Sequence, residues 1–382
     1  MAQRMIVEAI DVFHVSMPMK ERWRTAFGEM DAVDSVLVRM SVDGVEGWGE
    51  SSPYAAPQYC SEFAAGAFLV IRDWLGPALL GQEVASGAAL QACLAPFKGN
   101  HFAKGALDVA WWDAFAHLTE RPLWQVIGGL SDRVSVGADV AVQEDVETLL
   151  AVLAQIQDAG FARTKLKFRA GWGVEMIERV RSRFPDAVIH VDCNSGFTLT
   201  DLEVFRRLDA YGLEMIEQPL GHEDLIDHAA LQKELQTPIC LDESIVSLDR
   251  ARQAIEIGAC RWINLKIGRL GGLTNAIAVH DHCRDRAVPC WVGGMLESAV
   301  GQGPSIALAT LQNIKYPADI FPSDRLYQRD LSEPEIRLDG PGFVIAPDRP
   351  GHGFAPKPAR LAANTISHAS IERRSAGQRK TA

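Results

Sequence analysis

Cysteines are few in this sequence and form no recognisable pattern. The 382 residues include seven cysteines, an odd number, and no two of them form a C-x-x-C pair. Disulfide-rich secreted domains pair their cysteines, and thiolate metal sites usually present them at short spacings. The sequence therefore excludes both classes and predicts reduced, buried thiols in a cytoplasmic protein.

Positive charge and long apolar runs are also scarce. The net charge is −11, from 38 Lys and Arg against 49 Asp and Glu, so no basic field attracts nucleic acid or an anionic membrane. No apolar run is long enough to span a bilayer, and the opening MAQRMIVEAIDVF is typical of a strand rather than of a signal peptide. We expect a protein that binds neither nucleic acid nor membranes, with a disordered basic tail, RRSAGQRKTA.

A dinucleotide-binding motif is missing as well. The glycine-rich GRLGG, at Gly268–Gly272, follows a predicted strand. It lacks the G-x-G-x-x-G spacing and the acidic residue about 20 positions further on that would bind a ribose. The sequence therefore predicts no organic cofactor.

The chain changes texture near residue 123. Before it, two alternating segments that fold back at Asp43-Gly44 predict antiparallel strands, and a helical pattern follows from residue 61 to 119. After it, eight short apolar strand candidates alternate with amphipathic stretches: VSVGADVAV, TKLKF, VIHVDCN, EMIEQP, ICLDES, RWINLK, PCWVGG and IKYPADI. Regular alternation of eight strands and helices favours a closed parallel α/β barrel. We predict a cap at 1–122, a barrel at 123–322 and a segment at 323–382 that returns to the cap.

Three carboxylates stand at the ends of successive predicted strands. Asp192, Glu217 and Asp242 are each 25 residues apart, one βα unit. Strands of a barrel share one orientation, so these side chains lie on one rim, on neighbouring strands about 5 Å apart. Their mutual repulsion and all-oxygen chemistry favour Mg²⁺, or Mn²⁺ in its place. The alternative is that they are unrelated helix caps or ion-paired acids.

Lysines stand at equivalent positions on two further strands. Lys167 precedes Asp192 by 25 residues, and Lys266 follows Asp242 by 24. Strands two and six lie opposite each other in an eight-stranded barrel, so the two ammonium groups face each other across its mouth. Lys165 shares a strand face with Lys167 and, with the metal, would lower its pKa and contact the substrate carboxylate. The alternative is that each lysine only pairs with a carboxylate.

A metal ion and two opposed bases are suited to removing the α-proton of a carboxylate. That proton is weakly acidic, and the resulting ene-diolate needs concentrated positive charge. A lysine serves as the base near pH 7 only when neighbouring cations lower its pKa. The predicted substrate is therefore a small carboxylate.

These motifs resemble those of the enolase superfamily, in its muconate-lactonizing-enzyme branch. KLK is similar to the branch's K-x-K motif, DCN, EQP and DES to its metal-ligand strands, and NLKIGRLGG to the strand of the opposite lysine. The similarity extends to GWGE and PLWQVIGG and covers nearly the whole chain. It implies an α/β fold, a modified (β/α)7β TIM barrel with an α+β capping domain formed by the N-terminal part and the C-terminal segment. It also implies a homo-oligomer.

Within that branch, WVGGMLESAVG and PADIFPSDRLYQRDLSEPEI most resemble the o-succinylbenzoate synthases and N-acyl (N-succinyl) amino acid racemases. The resemblance implies Lys167 and Lys266 as the acid and base. It implies that Asn194 and Glu243 orient the metal ligands. It places Glu297 and Asp319 near the substrate, with Asp192, Glu217 and Asp242 holding Mg²⁺.

Two residues depart from that pattern. Asp139, in GADVAV, stands where the group tends to carry a small hydroxyl residue near the substrate carboxylate, and Gln302 replaces an expected arginine. An acid at position 139 would repel that carboxylate unless it pairs with a lysine or with a cationic substrate group.

The sequence thus predicts an enzyme, with racemisation of N-acylamino acids as the first hypothesis. The alternatives are o-succinylbenzoate synthesis, dipeptide epimerisation, cycloisomerisation and a non-catalytic barrel that binds a carboxylate. Racemisation needs both lysines to carry protons, whereas syn-dehydration needs one, and the sequence supplies both. A dipeptide epimerase typically carries a D-x-D pair, and here Phe321 occupies the second acidic position after Asp319.

Overall fold

The computed structural model describes residues 5–25, 28–169, 171 and 173–372. The predicted disordered tail lies mostly outside these ranges. In chain order, the strands are β1 (Val7–Thr25), β2 (Gly28–Val42), β3 (Val45–Ser51), β4 (Arg133–Ser135), β5 (Ala138–Val140), β6 (Thr164–Lys167), β7 (Ile189–Asp192), β8 (Ile216–Glu217), β9 (Ile239–Leu241), β10 (Trp262–Leu265), β11 (Cys290–Val292), β12 (Phe343–Ile345) and β13 (Thr365–Glu372).

The α-helices alternate with the barrel strands and also cover the N-terminal sheet. They are α1 (Ala64–Val70), α2 (Gly76–Leu79), α3 (Gly87–Leu94), α4 (His101–Leu118), α5 (Leu123–Val126), α6 (Val146–Asp158), α7 (Gly173–Arg183), α8 (Leu202–Leu208), α9 (Ile226–Glu234), α10 (Leu248–Glu256), α11 (Leu273–Asp285), α12 (Ala299–Ala309), α13 (Ser323–Leu326) and α14 (Pro358–Asn364). In the described ranges, no helix combines the length and apolar character needed to cross a bilayer.

The N-terminal strands form an antiparallel sheet that α4 covers. Its order is β13-β1-β2-β3, so the C-terminal strand β13 completes it. The predicted hairpin turn is confirmed: Asp43 and Gly44 both have positive φ, 46° and 76°, as a tight turn between twisted strands requires. Gly47 and Gly49 let α4 lie directly on β3, because a Cβ at either would come within 2.2 Å of a backbone oxygen of α4.

The second large sheet is parallel, in the order β11-β10-β9-β8-β7-β6-β5. We number these from β5 as strand one to β11 as strand seven. Single bridges close the barrel, from Ile314 to Cys290 of strand seven and from Ala318 to Val136 just before strand one. The fold class is confirmed as a TIM-barrel-like α/β fold with an antiparallel capping domain.

Two strand candidates differ from their predicted extent. IKYPADI forms only those two bridges, because Pro317 lies between them and has no N–H to donate. VSVGADVAV is split: β4 pairs with β12 in a separate two-stranded sheet, and only β5 joins the barrel. Gly137 lies at the break, where a Cβ would come 2.1 Å from the Arg163 side chain.

Acidic side chains fasten the cap to the barrel at the N-termini of barrel helices. Asp108 of α4 accepts from the Thr274 N–H at the start of α11, at 3.0 Å. Glu50 of β3 accepts from the Ser298 N–H at 3.1 Å and the Gly301 N–H at 3.0 Å, at the start of α12. The unpaired N–H groups of a helix N-terminus favour such carboxylates. The cap is therefore held directly above the C-terminal ends of the barrel strands.

Candidate active site

The three predicted metal-ligand carboxylates lie on neighbouring strands at one rim. The register pairs Lys167 with Asp192 and Asp192 with Glu217 across strands two, three and four. Glu217 pairs with Cys240 of strand five, so Asp242 lies two residues beyond it. All three carboxylates are fully buried, so their charges require compensation from neighbouring cations.

Lys165 supplies much of that compensation. Its Nζ lies 3.0 Å from Asp192, 3.1 Å from Glu217 and 3.3 Å from Asp319. Burial opposes the charged ammonium group, but these carboxylates outweigh it and hold the pKa of Lys165 well above its ordinary value. Burial likewise opposes ionisation of Asp192, but Lys165 and Lys167 keep the pKa of this carboxyl well below its usual range.

The two predicted bases flank the row of carboxylates. Lys167, on strand two, places Nζ 2.8 Å from Asp192 Oδ2, and Lys266, directly after strand six, places Nζ 2.9 Å from Asp242 Oδ2. Strands three, four and five lie between them in the sheet. Burial lowers the pKa of Lys266, but Tyr59 and nearby carboxylates give a net increase. Lowering that pKa, as predicted for a base, therefore requires an added positive charge.

A second set of polar residues lies beneath the carboxylates. His190 contacts Glu217 Oε2 at 3.2 Å, and the Asn264 side chain donates to Glu217 Oε1 at 2.7 Å. The fully buried Arg163 pairs with Asp319, which places Asp319 at the end of the charge network. Sequence reasoning missed Arg163, His190 and Asn264, which stand among apolar residues with no spacing to single them out.

Asn194 and Glu243 contact each other beside the carboxylate row. The Asn194 N–H donates to Asp192 Oδ1 at 3.0 Å, and its side chain donates to Glu243 Oε1 at 3.3 Å. Burial, followed by the charge of Asp192, raises the pKa of Glu243 to about 7. Asn194 adopts positive φ, 43°, which turns the chain back across the rim. Both residues are thus placed to orient the carboxylates.

The remaining predicted substrate residues lie nearby. Asp139 is 6% exposed; its Oδ2 lies 3.8 Å from Lys167 Nζ, and its Oδ1 has no hydrogen-bond partner among the described residues. Glu297 accepts from the Met295 N–H at 2.8 Å, and burial raises its pKa. Gln302 donates to the Glu297 carbonyl at 3.0 Å and accepts from the Phe321 N–H at 2.8 Å, so it fastens backbone.

The cap contributes residues that the sequence analysis did not name. Tyr59, in the segment predicted to cover the mouth, places its hydroxyl 3.3 Å from Asp242 Oδ1 and 3.3 Å from Arg269 Nη1. Tyr54 packs edge-on against it, with ring centroids 6.3 Å apart, and has positive φ, 69°. Strained backbone of this kind is concentrated at functional sites. Two tyrosines shortly after a strand, in a loop otherwise rich in small residues, were the available signal.

The donor set has the chemistry of a divalent-cation site. Three adjoining buried carboxylates without histidine or cysteine suit Mg²⁺ or Mn²⁺. Glu243 Oε2 has no hydrogen-bond partner in the described part of the chain. Across the same residues, however, no three acidic, histidine or cysteine side chains surround one point, and Lys165 stands among the carboxylates. The residues fit a cation in donor type, and binding requires Lys165 to shift.

Comparisons with known proteins agree with this geometry. Residues 8–128 match the family described as mandelate racemase / muconate lactonizing enzyme, N-terminal domain, and residues 148–360 match the enolase C-terminal domain-like family. The match therefore covers both the cap and the barrel.

Relatives and solved structures match over nearly their full lengths. An N-succinylamino acid racemase from an Amycolatopsis species is 42% identical over 358 residues, 94% of this chain and 97% of the relative. An o-succinylbenzoate synthase from Geobacillus kaustophilus is 41% identical over 349 residues, 91% and 93% of the two chains. A crystal structure of an enolase-superfamily protein from Listeria innocua has a TM-score of 0.93 at 35% identity, covering 96% of this chain and 99% of that one. The chain therefore belongs to the mandelate racemase / muconate lactonizing enzyme family of the enolase superfamily.

Proposed function

We propose that this protein removes the α-proton of a small carboxylate substrate in a Mg²⁺-dependent reaction. One observation carries the proposal: two lysines flank a row of three buried carboxylates on one rim of the barrel. Mg²⁺, or Mn²⁺ in its place, bound by Asp192, Glu217 and Asp242 would supply the positive charge that makes the α-proton of the substrate acidic.

The two lysines then carry the protons. In racemisation, one neutral amine takes the α-proton from one face of the carbon, and the ammonium group of the other lysine gives a proton to the opposite face. Lys167 and Lys266 stand on opposite sides of the carboxylate row, which is the placement that this exchange requires. Asn194 and Glu243 orient the carboxylates, and Lys165 neutralises them.

We propose N-acylamino acids, N-succinylamino acids first, as the substrates. The supporting facts are the 42% identity to an N-succinylamino acid racemase and a second lysine in position to return the proton. Dehydration to o-succinylbenzoate is the second candidate, supported by the 41% identity to a synthase of that name. A cytoplasmic location and a homo-oligomeric state remain predictions.

Proton exchange tests the proposal. The protein is incubated in D₂O with Mg²⁺ and each enantiomer of several N-succinylamino acids, and α-deuteration and inversion are followed by NMR and optical rotation. We expect both in the wild type, and no inversion in Lys167→Ala or Lys266→Ala. Each variant should still exchange the enantiomer that faces its remaining lysine.

Two results would decide against racemisation. Conversion of the cyclohexadiene precursor to o-succinylbenzoate, with no inversion of any amino acid derivative, would favour the synthase. No exchange with any carboxylate, together with no Mg²⁺ binding by calorimetry, would favour a non-catalytic barrel.

A further inference from the structure

Tyr59 contacts the catalytic side of the barrel from the cap. Its hydroxyl lies 3.3 Å from Asp242 Oδ1, 3.5 Å from Lys266 Nζ and 3.3 Å from Arg269 Nη1. The Lys266 ammonium nitrogen also lies over its ring, 4.9 Å from the centroid. The side chain is buried, at 8% exposure. One cap residue thus contacts Lys266 through both its hydroxyl and its aromatic face.

These contacts satisfy the hydrogen-bonding capacity of a phenol. Its single proton is donated to Asp242, and its oxygen accepts from the Lys266 ammonium and the Arg269 guanidinium. The negative face of the ring attracts the ammonium group as well. Lys266 is therefore held in one orientation, at the end of a flexible side chain that would otherwise sample several.

The ring itself is held by other cap residues. Phe102 of α4 packs edge-on against it, with centroids 6.3 Å apart and planes at 88°, and Tyr54 packs on another side. Lys167, by contrast, has ion pairs with Asp192 and Asp139, both on barrel strands. The two lysines thus depend on different parts of the molecule for their orientation.

We propose that Tyr59 is a positioning residue for Lys266, and that the cap through it controls proton transfer on one face of the substrate only. This inference rests on the proposed function, because it assumes that Lys266 carries a proton. It predicts an asymmetry between enantiomers. A residue that only stabilises the fold or the metal site would affect both enantiomers equally.

The test follows α-proton exchange of each enantiomer separately in D₂O with Mg²⁺. Lys167→Ala, which retains Lys266, first identifies the enantiomer that reacts at Lys266. Tyr59→Phe, which keeps the ring, should slow exchange of that enantiomer at least about tenfold, through kcat rather than KM, since misplaced groups lose rate in the chemical step. Exchange of the other enantiomer should stay within about twofold. Tyr59→Leu, which also removes the ring, should widen the difference.

The unaffected enantiomer reports that the variant is folded, and Tyr211→Phe, between α8 and β8, is a matched control. Equal losses for both enantiomers with weaker activation by Mg²⁺ would mean that the hydroxyl serves Asp242, and would overturn the proposal. Unchanged rates for both would overturn it too. Absence of exchange in the wild type would instead refute the proposed function itself.

Discussion

Asp139 shows how one side chain can set the preference of a shared site. Its carboxylate stands beside Lys167, but at 3.8 Å the contact is too long for a hydrogen bond. The pair is also flanked by Lys165, which the register places next to Asp139. An acid here changes the charge that an incoming carboxylate meets, without changing either proposed base.

Asp139→Ser is therefore expected to favour N-succinylamino acids with neutral side chains. Removing a like charge near the substrate carboxylate should lower KM about tenfold, the equivalent of about 1.4 kcal/mol, with little change in kcat. Steady-state kinetics with both enantiomers would measure this effect. A fall in kcat at constant KM would show instead that Asp139 orients Lys167.

At the scale of elements, the segment GWGE joins the cap to the barrel. Gly47 and Gly49 bring α4 against β3, and Glu50 reaches the start of α12. The helix that carries Phe102 is therefore fixed relative to the barrel helix after strand seven. The contact between Phe102 and Tyr59 depends on this arrangement.

Gly49→Ala tests the close approach of α4. A Cβ at this position would come 2.2 Å from the Ala106 carbonyl oxygen, so the helix must move. Overpacking of this kind costs about 1–3 kcal/mol of unfolding free energy. Urea denaturation would measure the loss, with Gly221→Ala as the control, because a Cβ there meets nothing within 4 Å. Equal effects of the two substitutions would contradict the packing argument.

Glu50 should make the stability of this junction depend on pH. Burial raises its pKa to about 7, against 4.5 for an ordinary Glu, with Glu297 and Asp330 adding to the increase and Ser298 opposing it. Between these values the unfolded state has lost the proton that the folded state keeps. Unfolding free energy should therefore fall as pH rises through this window, by up to about 3 kcal/mol, and be constant above it.

Glu50→Gln removes that titration and should flatten the slope between pH 4.5 and 7. Urea denaturation at several pH values compares wild type and variant, and the difference between them isolates Glu50 from other titrating groups. Glu46→Gln, an exposed acid on the same strand, is the control. A slope unchanged by Glu50→Gln would show that Glu50 is ionised throughout.

At the scale of the whole molecule, the sequence predicted what repeats and missed what only the folded chain brings together. Asp192, Glu217 and Asp242 recur at intervals of 25 residues because each barrel unit places its strand end on the same rim. Tyr59 and Asp242 are 183 residues apart, and no local pattern joins them. The short eighth strand was overestimated because its apolar composition is that of a strand, while Pro317 limits its pairing.

The buried charges of the barrel also link its stability to a bound cation. Lys165 neutralises Asp192, Glu217 and Asp319, so Lys165→Ala leaves these acids with less positive charge. Removing one partner of a buried ion pair costs about 3–5 kcal/mol. Without divalent ions, the variant should therefore melt well below the wild type, and Lys233→Ala, at an exposed position, should not.

Added Mg²⁺ should raise the melting temperature of Lys165→Ala more than that of the wild type. A ligand that binds only the folded state stabilises it in proportion to its affinity, and in the variant the cation no longer competes with the ammonium group. Thermal unfolding followed by circular dichroism, in EDTA and in several Mg²⁺ concentrations, measures both shifts. A smaller shift in the variant would show that Lys165 and the cation act together rather than in competition, and the carboxylate row would then need both.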